Sequence, residues 1–148
     1  MMQRMRNLNR QTSKLLLQIS VTVCSLVPIL AGGAGVVLGP ALVSPGLVVG
    51  GDGPDLDSHF RYLSGLLLGI GIAYAASVPG IERHRARFLM LGAIVVLGGL
   101  GRLLALLLNG VPSPVMLAAL AMELVVTPLL THWQGRVARR MSGRFLGR

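Results

Sequence analysis

The chain has 148 residues, 53% hydrophobic and only 13% charged, with a mean hydropathy of +0.70. That is room for one domain, and more apolar content than a soluble core of this size needs, so a bilayer is the expected solvent. The net charge of +9 would suggest nucleic acid in a soluble protein, but the basic residues are spaced along the chain in three groups rather than on one face. Arg4, Arg6, Arg10 and Lys14 precede the first apolar run; Arg83, Arg85 and Arg87 fall in the second connection; Arg136, Arg139, Arg140, Arg144 and Arg148 form the tail. Those twelve of fourteen basic residues lie in segments that alternate crossing puts on one side, which is the positive-inside pattern and argues against a nucleic-acid partner.

Taken in order, residues 1–14 are polar, basic and without apolar period, and read as a cytoplasmic lead-in. Residues 15–39 form the first expected span, with Pro28 and the AGGAGVVLG run midway, where a kink is expected and tolerated. A cleaved signal peptide ending near Ala31-Gly32-Gly33 is the rival reading, against which the apolar run is long and continues past that site. The lone cysteine, Cys24, lies inside this run, so no intramolecular disulfide forms and it reads as a small hydrophobe. The connection 40–56 is rich in glycine and proline and carries Asp52 and Asp55; it is expected outside, and its apolar part 41–49 reads either as a plain loop or as a membrane re-entry.

The second expected span is 57–78, with Asp57 or Ser58 as its N-cap and Val78-Pro79-Gly80 as its stop. Asp57, Arg61, Ser64, Gly65, Leu68, Gly71 and Ala75 share one face at helical spacing. The third span, 88–108, and the fourth, 114–133, are joined by the turn Asn109 to Ser113, too short for anything but an antiparallel pair. Trp133 suits the membrane interface, and residues 134–148 form a basic tail able to lie on anionic lipid. The fold class expected is an all-α membrane protein, a four-transmembrane-helix bundle with both termini cytoplasmic.

Charges within such spans cost about 2.5–3.5 kcal/mol each on insertion scales and normally face protein or water. Arg61 and Arg102 are the two basic residues outside the three groups, and Glu123 is the acid deepest in a span. Arg102 and Glu123 fall at similar depths on two helices joined by a short turn, so they are expected to pair, and Asp57 and Arg61 are four apart on one helix. Asp57, His59, Arg61, Arg102 and Glu123 are the candidate polar cluster, serving a ligand or helix registry. His59 is 200° round from Asp57 at helical spacing, hence expected at headgroups rather than in the cluster. Gly35, Gly39, Gly65, Gly69, Gly98 and Gly99 are the candidate helix-packing positions. Pro128 removes the usual donor to the carbonyl of Leu124, near Glu123. His59, His84 and His132 lack metal spacing, no metal or cofactor is expected, and the familiar nucleotide-binding and hydrolase motifs are absent.

HFRYLSGLLLGIG, GGLGRLL, the Asn109-Gly110-Val111-Pro112 turn and the span-four glutamate together resemble a bacterial family of small four-helix inner-membrane proteins, domain of unknown function 4345. The resemblance covers about Leu15 to Val137 and falls on His59, Phe60, Arg61, Gly65, Gly99, Arg102, Gly110, Pro112 and Glu123. It implies a bacterial cytoplasmic-membrane location and supplies no activity; the basic tail is longer than the family pattern needs. A looser similarity to DoxX-like four-helix membrane proteins concerns architecture, which does not carry function. Two readings follow. One is a non-enzymatic protein that binds a lipid or quinone-like amphiphile in a polar pocket of the bundle's outer half. The other is a small membrane enzyme or proton-coupled transporter subunit using Glu123 or His59. Membrane lipids are the expected partners, with an amphiphilic small molecule and a homo-oligomer as further options.

Overall fold

The computed structural model describes residues 2–43 and 53–142, and among them there are helices, turns and no strand. The helices are α1 (Met2–Leu38), α2 (Gly53–Ala75), α3 (Arg85–Asn109), α4 (Pro114–Ala121) and α5 (Thr127–Ser142). A π-helical segment, Met122–Val126, joins α4 to α5 without a break, so the last two form one rod. Short 3₁₀ turns follow α1 (Gly39–Leu42) and precede α3 (Ile81–Arg83). Three stretches are long and apolar enough to cross a membrane: Leu8–Leu42, Arg85–Asn109 and Pro114–Met141. In the most apolar part of the last, no residue is buried.

Several boundaries differ from those read off the sequence. The basic segment 2–14 is not a separate lead-in but the start of α1, because nothing in it breaks a helix: no glycine or proline occurs before Pro28, and α1 runs unbroken through that proline as well. α2 begins at Gly53, so Asp57 and Ser58 lie inside the helix and neither caps it. Its length would span a bilayer, but Asp55, Asp57, His59 and Arg61 in its first turns make it less apolar than the other three. α5 carries the tail as far as Ser142 in continuation of the fourth expected span. The choice between a plain loop and a re-entry for 41–49 falls mostly on residues outside the described ones; 41–43 end the 3₁₀ turn.

The chain divides into two compact units, Ser20–Val78 and Met1–Ile19 with Pro79–Arg148. In the first, α1 and α2 run antiparallel in close contact. A Cβ added to Gly32 would lie 2.5 Å from the backbone nitrogen of Leu68 and 2.8 Å from the carbonyl oxygen of Ser64. Backbone cannot step aside as a side chain can, so this crossing requires glycine. Gly35 meets the side chain of Ser64, and Gly71 of α2 meets Pro28 and Ile29. The packing stripe is therefore Gly32 and Gly35 on α1, continued by Gly39 in the 3₁₀ turn, with Gly71 on α2. Gly65 makes only ordinary contact, 3.9 Å to Val36, and nothing lies within 4 Å of a Cβ at Gly69.

The second unit sets α3 beside the rod of α4, the π segment and α5. Gly110 turns the chain with φ +88 and donates its N–H to the carbonyl of Leu106, ending α3. Pro114 then starts α4 at a position where its missing N–H is not needed. The core of this unit is at the opposite end, where Leu17, Ile81, Phe88 and Gln134 are fully buried. Gln134 satisfies its burial by donating Nε2 to the carbonyl of Ile81, 2.8 Å away. Trp133 donates Nε1 to Ser13 Oγ, and Lys14 is paired with Glu82. Val137 and Ala138 are buried too, whereas Arg136, Arg139 and Arg140 are exposed. The buried stripe at i, i+3, i+4 is what holds this end of α5 to the rest of the unit.

Candidate functional site

Arg102 and Glu123 face each other across α3 and the π segment. Arg102 donates Nε to Oε2 and Nη2 to Oε1 of Glu123, at 2.9 and 3.0 Å, a bidentate fork on the carboxylate. Gly99, one turn before Arg102, makes the approach short enough: a Cβ there would sit 2.7 Å from Leu124 Cδ2 and 2.9 Å from Glu123 Cβ. At Gly98 the space is open, so of the two neighbouring glycines only Gly99 brings the helices together.

The wide turn that carries Glu123 has a local cause. Pro128 has no N–H for the carbonyl of Leu124, and its ring would crowd that carbonyl in a regular helix. The chain widens instead: Thr127 sends both its backbone N–H and its Oγ1 to the carbonyl of Met122, five residues back. Such π turns recur at functional positions in helices. The Val125-Val126-Thr127-Pro128 run was the signal for it in the sequence, and the proline alone does not reveal a π turn.

The remaining edge of Arg102 is less well served. Among the described residues, Nη1 reaches only the thioether sulfur of Met116, at 3.0 Å, which is a weak acceptor. Arg102 and Met116 both line a cleft of about 310 Å³ at the α3–α4 end, with Leu106, Asn109, Val111 and Pro112. The cleft is thus lined by one guanidinium, one amide and otherwise apolar groups. The Arg102 side chain is 33% exposed and that of Glu123 18%.

Asp57 and Arg61 belong to the other unit and do something different. Arg61 donates Nε to Asp57 Oδ2 at 2.7 Å, and Nη1 to the carbonyls of Val36 and Val37 at 2.6 and 2.9 Å. Those carbonyls lie in the last turn of α1, where no further helical N–H follows to bond them. Gly39, at φ +62, completes this end; a Cβ on it would strike Asp57 and Arg61. Arg61 is therefore a capping group for α1, and Asp57 neutralises it. His59 is exposed. The five candidate residues thus form two separate pairs, Arg102 with Glu123 and Arg61 with Asp57, while His59 joins neither.

A third ion pair was missed by the sequence reading. Lys14 Nζ lies 3.1 Å from Oε1 and 3.0 Å from Oε2 of Glu82. Burial alone would push the Glu82 carboxyl up; its own backbone N–H, the Lys14 ammonium and Arg83 outweigh that and hold it below the ordinary glutamate value. Among the described residues, no three His, Cys, Asp or Glu side chains gather as a metal ion would need.

Neither a curated protein nor a solved structure matches this chain. A family model does: Domain of unknown function (DUF4345) matches residues 16–134, a range that contains both arginine pairs, Gly99, the π segment and the α3–α4 turn. The chain belongs to the DUF4345 family.

Proposed function

We propose that the protein is a multi-pass protein of a bacterial cytoplasmic membrane, with four crossings and both termini inside, and that its α3–α4 cleft binds the polar end of a small amphiphile. Three apolar helices whose side chains are largely exposed, and twelve of fourteen basic residues in segments on one side of such a topology, support the membrane placement. α2 is the fourth crossing in this reading. Reporter fusions within Ile81–Arg83 and after Arg148 should be cytoplasmic; external activity at either position would overturn the topology.

The single observation that carries the binding reading is the Nη1 edge of Arg102, charged, lining a cleft and, among the described residues, bonded only to a thioether. The fork on Glu123 leaves no net charge at that spot, so a carbonyl, ester or quinone oxygen suits the cleft better than a free anion. A volume of about 310 Å³ is at the low end for ligand sites and matches a ring or head rather than a whole lipid. An apolar tail would pass Leu106 and Val111 into the membrane. An enzyme using Glu123 as acid or base fits less well, because both its oxygens already accept from Arg102.

Native mass spectrometry of the detergent-purified protein, with the retained small molecules identified, tests the reading. One stoichiometric amphiphile should be retained, and Met116→Leu, which alters only the cleft wall beside Nη1, should change its retention several-fold while the protein stays folded. A protein that carries nothing at any detergent concentration that preserves its fold would overturn it.

A further inference from the structure

A second cleft, of about 400 Å³, lies between α3 and α5, and it has two unlike ends. At one are Arg85 and Arg139, both exposed; His132 lines it further along, and deeper in are Leu89, Ala93, Val96 and Pro128. The helices run antiparallel here, so Arg85 in the first turn of α3 lies beside the end of α5 that carries Arg139. Gly135 is buried, and a Cβ on it would strike Arg85 Nη1, so the glycine is what lets this guanidinium lie down against α5. Gly92, also buried, does the same for Thr131 deeper in the groove: a Cβ there would be 2.7 Å from Thr131 Oγ1.

Among the described residues nothing compensates the charge at the polar end. The two acidic side chains of this unit, Glu82 and Glu123, are committed to Lys14 and Arg102. Among the described residues no acid pairs with Arg85 or Arg139. Two guanidiniums with no counter-ion, above an apolar groove that enters the membrane, complement one kind of molecule: a phosphate attached to an acyl chain. Arginine forks onto phosphate oxygens, and basic pockets between helices on the cytoplasmic side are suited to acidic headgroups.

We propose that this cleft is a binding site for one anionic phospholipid of the inner leaflet, its phosphate on Arg85 and Arg139 and the upper part of one chain along Leu89, Ala93, Val96 and Pro128. The site rests on the membrane placement argued above and is independent of the Arg102 cleft. The test is native mass spectrometry of the purified full chain titrated with dioleoyl-phosphatidylglycerol or dioleoyl-phosphatidylcholine. The first phosphatidylglycerol should bind about tenfold tighter than phosphatidylcholine, as expected for two basic groups at an acidic headgroup. Arg85→Gln with Arg139→Gln should abolish that preference. Arg136→Gln with Arg140→Gln removes the same charge from α5 outside the cleft and should leave it, as should Met116→Leu. Ala93→Phe, at an exposed position in the groove, should weaken both lipids several-fold with an unchanged lipid-free melting temperature. Equal loss of preference in the two double variants would overturn the site in favour of diffuse attraction. Displacement of the lipid by equimolar glycerol 3-phosphate would also overturn it, since the chain would then contribute nothing.

Discussion

Arg61 and Arg102 are the same residue, each on a carboxylate, yet they do different work. Arg61 takes its acid from its own helix, four residues back, and gives Nη1 to two main-chain carbonyls at the end of α1. Arg102 takes its acid from another segment with a two-point fork, and its third donor ends on a sulfur at the wall of a cleft. A buried or half-buried arginine is thus not by itself the mark of a site. What distinguishes the two is where the Nη1 edge goes. At Arg61 it completes a helix end; at Arg102 it ends on a weak sulfur acceptor at the wall of a cleft.

The difference predicts an order of costs. Arg102→Leu or Glu123→Leu strands the other charge, and breaking such a pair costs up to about 3–5 kcal/mol. Each should lower the melting temperature in detergent sharply, and the double substitution should recover part of the loss, with a coupling of about 0.5–3 kcal/mol. Strictly additive losses would mean the two do not act on each other. Arg61→Leu should cost less, because the pair is more exposed, at 40% and 37%, and water or headgroups can reach the freed carbonyls. It should fray the end of α1, seen as faster amide exchange at Gly39 and Leu42, without changing retention of the amphiphile. Loss of that ligand in Arg61→Leu would erase the distinction between the two arginines.

Much of this was legible in the sequence, and the limits are physical. The pairing of Arg102 with Glu123 follows from depth: two helices joined by five residues must place those side chains level, whatever else the fold does. The contact of Asp57 with Arg61 follows from helical spacing. Arg61 as a cap could not be read, because it depends on the register of α1 against α2, and that register is set by Gly32 and Gly71 rather than by the GxxxG spacing of Gly65 and Gly69. Spacing identifies which glycines share a face but not which face meets a partner. The start of α2 at Gly53 was missed because polar residues ahead of an apolar run look like a cap when they are the first turn of the helix. The π turn was missed since a proline predicts a disturbed helix without saying how the chain absorbs it.

The pair of Lys14 with Glu82 sharpens the comparison at its weak end, for it neither lines a cleft nor caps a helix, and it joins α1 to the 3₁₀ turn before α3. Glu82 is held below its ordinary value, near 4.5, so it binds fewer protons in the folded chain than in the unfolded one at intermediate pH. A carboxyl shifted in that direction contributes stability above its unfolded value, and the contribution disappears as pH falls through the lower, folded value. The expected result is a melting temperature in which wild type exceeds Glu82→Gln by a constant margin above about pH 6 and loses that margin as the pH is lowered toward 3. Lys14→Met should reduce the margin without abolishing it, since the backbone N–H of Glu82 and Arg83 also favour the carboxylate. At 21% and 16% exposure this is the least exposed of the three pairs, so the margin should shrink only in part with salt. A margin that stays the same from pH 7 to pH 3 would show that Glu82 contributes through packing alone and that its ion pair adds nothing.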